Sequence, residues 1–139
     1  MSFAGAKLIL AHDGQVLTYQ RDDLPHLPWP GHWDLPGGGR EGEETPEACV
    51  LRELEEEFGL ALPADRLIWR RAFPGLLDPS RTGWFFAGVL TGAEIAAIRF
   101  GSEGQGWRMM GLTEWLHHPQ GVAALQARSR IAATDLGWL

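Results

Sequence analysis

Apolar residues recur with two different periods along the chain, and the switches between them mark its elements. Ala6 to Ala11 is apolar after Lys7 and stops at His12-Asp13-Gly14, a turn signal. Val16 to Gln20 resumes with β-compatible residues, so the two runs read as a hairpin. Arg21 to His32 is a loop, because Pro25, Pro28 and Pro30 exclude regular helix. Trp33-Asp34-Leu35-Pro36 is a short extended piece leading into Gly37-Gly38-Gly39. Helical spacing follows Thr45. Thr45 suits the N-cap, Pro46 the first helical position, Glu47 the positive helix end, and Gly59 the residue that ends the helix. Arg66 to Phe73 and Thr82 to Leu90 are β-rich and flank the turn Asp78-Pro79-Ser80-Arg81. Thr91 to Glu94 has the capping-box form and opens a short helix. Phe100 to Gly106 is a glycine-rich loop, Trp107 to Met110 a short strand, and Leu112 to His117 a helical turn. Pro119 to about Thr134 reads as a final helix. The order predicts an α/β fold, a mixed sheet with helices packed on it. No break in composition marks a second domain, so residues 1–139 read as one.

Composition narrows the partners. Hydrophobic content is 45% and charged content 22%, ordinary for a globular chain. No apolar run approaches the roughly 20 residues of a membrane span. The net charge is −6 and there is no basic run, which argues against stable nucleic-acid binding by phosphate neutralisation. A small phosphate-bearing substrate remains open, because bound metal ions reverse the local sign. The start, Met1-Ser2-Phe3-Ala4-Gly5, lacks the basic and apolar regions of a signal peptide. Cys49 is the single cysteine, so a reducing cytoplasm is the default expectation. Seven tryptophans are scattered without a repeat and read mostly as core or pocket lining. Nothing marks a self-complementary patch, which leaves oligomeric state open.

The chemistry concentrates between Gly38 and Leu60. On a helix, Val50, Leu51, Leu54 and Phe58 form one apolar stripe. Glu53, Glu56 and Glu57 form a second stripe beside it, while Arg52 and Glu55 lie elsewhere. Glu53 and Glu57 are an i, i+4 pair of like charges, which repel. A solvated acidic face is the plainer reading of a glutamate-rich helix, but it leaves the preceding glycines without a reason. Hard oxygen ligands at this density suggest Mg²⁺ or a similar divalent ion.

Gly38, five residues, Glu44, seven residues, then Arg52-Glu53-Leu54-Glu55-Glu56-Glu57-Phe58-Gly59-Leu60 resembles the signature of the Nudix hydrolases, with every fixed position filled. Trp33 to Gly38 and Trp107-Arg108-Met109-Met110 resemble the MutT-like branch more weakly. The resemblance implies an α/β/α sandwich with a mixed sheet between helices. It implies hydrolysis of a nucleoside diphosphate linked to another group. Glu53, Glu56 and Glu57 would bind Mg²⁺, with Mn²⁺ as a substitute, and one of the three, with Glu53 as a candidate, would assist deprotonation of water. The Gly38 carbonyl would add a metal ligand. Glu44 and Arg52 would form an ion pair bracing the loop against the helix.

Outside the box, Glu103 sits among small residues in Gly101 to Gly106, a loop able to swing over a site. In similar proteins a glutamate from this loop joins the metals or handles the water proton; an exposed loop glutamate is the alternative. Arg21 ends the second strand, placed either to touch a substrate phosphate or to sit solvated. Cys49 lies among glutamates and reads as a packing residue, since nothing there lowers its pKa. The five histidines lack ligand spacing, and His32 alone falls near the site region.

Substrate is less legible. The only tyrosine, Tyr19, precedes the box, which counts against the dinucleoside polyphosphate branch. Pro74 keeps an ADP-ribose reading open, and no coenzyme A signature is evident. The MutT-like resemblance implies a nucleoside triphosphate cut to monophosphate and pyrophosphate. ADP-ribose or nucleotide-sugar hydrolysis, or a non-catalytic nucleotide-sensing module, are the alternatives.

Overall fold

The computed structural model describes residues 2–139, and its organising element is strand β1, Phe3–His12. Leu8 and Leu10 of β1 enter one core cluster and Ile9 the other. Both faces are therefore buried, which explains why the run is continuously apolar instead of alternating. Asp13 and Gly14, with φ of 53° and 76°, make a two-residue turn into β2, Gln15–Gln20.

β1 and β2 pair only beside that turn, at Ala11–Val16 and His12–Gln15. Beyond it they take different neighbours. β3, Trp33–Asp34, pairs with Tyr19 and Gln20 of β2. β4, Gly37–Gly39, pairs with Gly5 to Lys7 of β1. The sequence pattern assigns these glycines to no element. They form a strand because the backbones come too close for side chains: a Cβ on Gly37 would lie 2.1 Å from the Ala6 carbonyl oxygen.

Helix α1, Pro46–Phe58, starts and stops where the sequence predicts. Thr45 Oγ1 accepts from the Ala48 amide at 3.1 Å, and Gly59 closes the helix with φ of 68°. Such a cap contributes about 1 kcal/mol. Each fully buried Leu or Phe contributes roughly 1.5–3 kcal/mol. Packing therefore decides how α1 sits on the sheet, and the cap decides only where it begins.

A single 3₁₀ turn at Ala64–Arg66 precedes β5, Trp69–Pro74, so the β-rich stretch begins later than Arg66. β5 is antiparallel to β6, Thr82–Val89, which runs parallel to β1 from Phe3–Thr82 to Ala11–Val89. Helix α2, Gly92–Ala96, has the full capping box of Thr91 and Glu94. β7, Gly106–Gly111, covers the outer edge of β2. Helix α3, Leu112–His117, follows directly, and then α4, Ala123–Asp135. α4 begins after the expected Pro119, because the Val122 amide is committed to the Trp33 carbonyl at 3.0 Å.

Two apolar layers enclose the sheet. α1 contributes Val50, Leu54 and Phe58 to one, against Leu8, Leu10 and Phe86. α3 and α4 contribute Trp115, Leu125, Ala132 and Ala133 to the other, against Ile9 and Phe85. This is an α/β/α sandwich around a mixed sheet, as expected. No helix among the described residues is long and apolar enough to cross a membrane.

Candidate active site

Burial of Val50, Leu54 and Phe58 fixes the rotation of α1 about its axis, and the next stripe of residues then meets β4. Glu53 packs on Gly38 so closely that a Cβ there would lie 2.4 Å from Oε2. Glu57 Oε1 accepts the Gly37 N–H at 2.9 Å. Both glutamates and Gly37 to Gly39 line a cavity of about 510 Å³, a size typical of small-molecule sites.

Glu56 does not share that position. Its side chain is 54% exposed and is held by Arg52 Nη1 at 2.9 Å. The helix projection put all three glutamates on one stripe, but it could not include the reach of Arg52. Arg52 Nε and Nη2 grip both oxygens of Glu44 at 2.8 and 2.9 Å, so the expected brace is present. Nη2 also donates to the Gly39 carbonyl, and Nη1 to Glu53 Oε1, each at 2.9 Å. The like charges of Glu53 and Glu56 are thus compensated by one guanidinium. Glu55 is exposed, as expected.

The carboxyl groups divide by environment. Hydrogen bonding from Arg52 holds Glu44 far below the usual carboxylate range, at about 2. Burial pushes Glu57 up to about 8, despite the nearby Lys7 charge and the Gly37 amide. Burial also raises Glu53, against the pull of Arg52. Two desolvated carboxyls beside backbone oxygens form an all-oxygen donor set, which suits a hard divalent cation. Among the described residues no three His, Cys, Asp or Glu side chains converge as a closed cage. Mg²⁺ tolerates this, since it is held by one or two carboxylates and retains several waters.

Where β1 and β2 part, a polar network fills the gap. Lys7 Nζ donates to Asp34 Oδ2 at 3.2 Å and to the carbonyls of Leu35 and Gly37 at 3.1 and 3.2 Å. Tyr19 Oη donates to the same Asp34 oxygen at 3.1 Å, and Arg21 Nη1 at 2.9 Å. Asp34 is 2% exposed. Burial disfavours the Lys7 charge, but Asp34, Tyr19 and Glu57 together outweigh it and hold the ammonium above its ordinary pKa. Arg21 lines the cavity, yet it is already bound to Asp34 and to the Pro28 carbonyl. These bonds use two of its five N–H donors, so it buttresses Asp34 while still lining the cavity.

Glu103 is exposed and lines the cavity from the loop before β7. That loop is pinned where Gly104 N meets Asp22 Oδ2 at 3.2 Å and Gln105 N meets the Gln20 carbonyl at 2.8 Å. Cys49 is buried, and burial pushes its thiol up to about 12, which fits packing and not reactivity. The His32 ring bonds only to the Pro30 carbonyl among the described residues. Lys7, Asp34 and Arg128 were missed by sequence reasoning. The available signal was a cation interrupting an apolar pattern: Lys7 in β1, and Arg128 on the buried stripe of Leu125, Ser129, Ala132 and Ala133.

Residues 4–129 match the NUDIX domain, and the chain belongs to that family. It is 57% identical over 55 residues to an 8-oxo-dGTP diphosphatase of Proteus vulgaris, covering 40% of this chain and 47% of that protein. It is 46% identical over 59 residues to an RNA pyrophosphohydrolase of Acidiphilium cryptum, covering 42% and 34%. The chain spans less than half the length of these curated relatives. The crystal structure of a MutT protein from Methanosarcina mazei Go1 superposes with a TM-score of 0.73 at 19% identity, covering 94% of this chain and 92% of that one. That likeness is one of fold.

Proposed function

We propose that the chain is a divalent-metal-dependent hydrolase of a diphosphate linkage, and that it cuts a nucleoside triphosphate to monophosphate and pyrophosphate. The observation that carries this reading is the meeting of Glu53 and Glu57 with Gly37 and Gly38 at one end of the cavity. Glu53, Glu57 and the Gly38 carbonyl would hold Mg²⁺, or Mn²⁺ in its place; Glu56 would join them only on leaving Arg52, and Glu103 would join from its loop. When bound, the ion lowers the pKa of water and offsets charge on the phosphoryl oxygens. Of these glutamates, Glu53 would take the proton of the attacking water. Arg52 and Glu44 position this helix against β4 through Gly39. Lys7 adds positive charge beside Glu57 and keeps the Leu35 and Gly37 carbonyls in place. The single buried cysteine fits a reducing cytoplasm, and the bound ion would offset the acidic charge toward a nucleotide.

Glu57→Gln or Glu53→Gln lowers turnover by about 10²-fold or more, the cost of removing a major electrostatic element. Chromatographic resolution of the products formed from nucleoside triphosphates, ADP-ribose and nucleotide sugars with Mg²⁺ tests this, pyrophosphate and the nucleoside monophosphate being the expected pair. Near-normal turnover in a folded variant contradicts the site. Tight nucleotide binding without turnover across the panel points to a sensing module instead.

A further inference from the structure

The loop of Glu103, which its glycines leave free to swing, is tied down on both sides of that residue. On one side the Gly101 N–H donates to the Glu57 carbonyl at 2.8 Å, and the Arg99 N–H to the Phe58 carbonyl at 2.9 Å. The loop thereby closes the C-terminal turn of α1, whose last carbonyls have no partner within the helix. The Phe100 ring anchors it there, its centre 5.6 Å from that of Phe58 and 6.2 Å from that of Tyr19. On the other side the Gly104 N–H donates to Asp22 Oδ2 at 3.2 Å. Gly104 has φ of 98°, and a Cβ there would lie 2.9 Å from the Gln20 carbonyl oxygen, so the backbone lies against the end of β2. Only Ser102 and Glu103 separate the two pins. Glu103 is exposed at this tip and lines the same cavity as Glu53 and Glu57.

The second pin is itself held. Gln20, Arg21 and Asp22 each bond to both of the loops beside them. Toward β7, the Gln20 carbonyl accepts from Gln105 N at 2.8 Å and the Arg21 carbonyl from Gln105 Nε2 at 2.9 Å. Toward the loop of Trp29, Gln20 Nε2 donates to the Gly31 carbonyl at 3.1 Å and Arg21 N to the His32 carbonyl at 2.8 Å. The Asp22 carbonyl accepts from Gly31 N at 3.1 Å, which leaves the Asp22 side chain to hold Gly104.

We propose that Asp22 is a positioning residue for Glu103: its carboxylate fixes Gly104 and, with the pin of Gly101 on Glu57, presets the Glu103 side chain over the cavity. The inference rests on the reading in which Glu103 joins the metal, and it adds what places Glu103 there. Asp22 does not line the cavity, so it acts through the backbone of the loop. A ligand ordered before the ion arrives binds it more tightly than one that must be ordered on binding.

The test pairs amide hydrogen exchange in the metal-free chain with calorimetric Mn²⁺ binding, so neither readout depends on turnover. Asp22→Ala speeds exchange at Gly104 about tenfold or more, the range for one hydrogen bond to a charged group. The Gly31 amide meets the backbone carbonyl of Asp22, so it keeps its protection and reports that the end of β2 is still folded. Mn²⁺ affinity falls about tenfold or more, as it does when a partner that orients a metal ligand is removed. Glu103→Gln weakens Mn²⁺ comparably, and Asp22→Ala adds nothing to that variant. Asp22→Asn keeps an oxygen acceptor and restores both readouts. Unchanged exchange at Gly104 in Asp22→Ala overturns the inference. An Asn variant as weak as the Ala variant marks a charge effect and also overturns it. So does Mn²⁺ affinity that is lost with Glu103→Gln and kept with Asp22→Ala, or a double variant weaker than Glu103→Gln. Faster exchange at Gly104, with Mn²⁺ affinity that neither variant changes, supports the positioning and refutes only the place of Glu103 at the metal. The expected exchange and Mn²⁺ results in a chain that cleaves no nucleotide support the inference and refute the hydrolase reading alone.

Discussion

Arg52 holds Glu44 with two nitrogens, Nε to Oε2 at 2.8 Å and Nη2 to Oε1 at 2.9 Å, and reaches the Gly39 carbonyl from the same fork. A parallel pair of this kind fixes direction as well as distance. Glu44→Gln therefore destabilises the fold by about 1–3 kcal/mol in urea unfolding, the range for hydrogen bonds to charged groups. Arg52→Lys costs a similar amount, because an ammonium cannot present two parallel donors. A double-mutant cycle gives a coupling above about 0.5 kcal/mol. A smaller coupling means that the pair does not brace the loop.

Asp34 serves two cations and a phenol, while Lys7 has Asp34 and two carbonyls. Removing one side of a buried pair costs roughly 3–5 kcal/mol when a charge is left uncompensated. Asp34→Ala strands both Lys7 and Arg21 and reaches that range. Lys7→Met leaves Asp34 still bound to Arg21 and costs less. Equal losses in chemical unfolding would show that Arg21 does not share the carboxylate.

Gly37 and Gly38 are adjacent but forbid side chains for different reasons. Gly37 has φ of 129° and its Cβ would strike the Ala6 carbonyl, so Gly37→Ala loses stability, by about 1–3 kcal/mol from backbone strain alone. At Gly38 the clash is with the carboxylate end of Glu53, a flexible group that can shift. Gly38→Ala keeps a near-native melting temperature and weakens Mg²⁺ binding about tenfold or more, as displaced ligands do. Calorimetry with Mg²⁺ beside thermal melts separates the two. Matching melts for both variants contradict this account.

Away from the site, Arg66 donates to both oxygens of Glu94 at 2.8 and 2.7 Å, holding that carboxyl at about 2, below its ordinary 4.5. The folded value is the lower one, so the pair stabilises the fold fully above about pH 4.5 and loses that contribution as pH falls through about 2. Glu94→Gln retains a capping-box acceptor and removes only the charge. The difference in unfolding free energy from wild type, about 1 kcal/mol for a partly exposed pair, stays flat above pH 5 and shrinks toward pH 2. A difference that is constant down to pH 2 excludes the ion pair as its source.

Legibility in the sequence followed range. α1 was readable to the residue, because Thr45, Pro46 and Gly59 act on their own neighbours. The fixed spacing from Gly38 to Leu60 revealed the box and the Glu44–Arg52 pair. The exposure of Glu56 was not readable, since it depends on which of several carboxylates one guanidinium reaches. Asp34 looked like part of a short extended piece, and only the parting of β1 from β2 makes it a buried hub. Arg128 stayed hidden because the Phe73 ring that it stands over reaches it through the fold and not along the chain.

The parallel pairing of β1 with β6 also sets an order of events during synthesis. Phe3 waits for Thr82 and Ala11 for Val89, so the inner edge of the first strand has no partner until more than half the chain has emerged. Non-local pairing of this kind is slow and leaves an apolar edge open meanwhile. The hairpin with β2 forms from neighbours and protects only the Ala11–His12 end. The stretch from Leu8 to Leu10 thus keeps an unpaired apolar edge until the strand bearing Phe85 and Phe86 arrives.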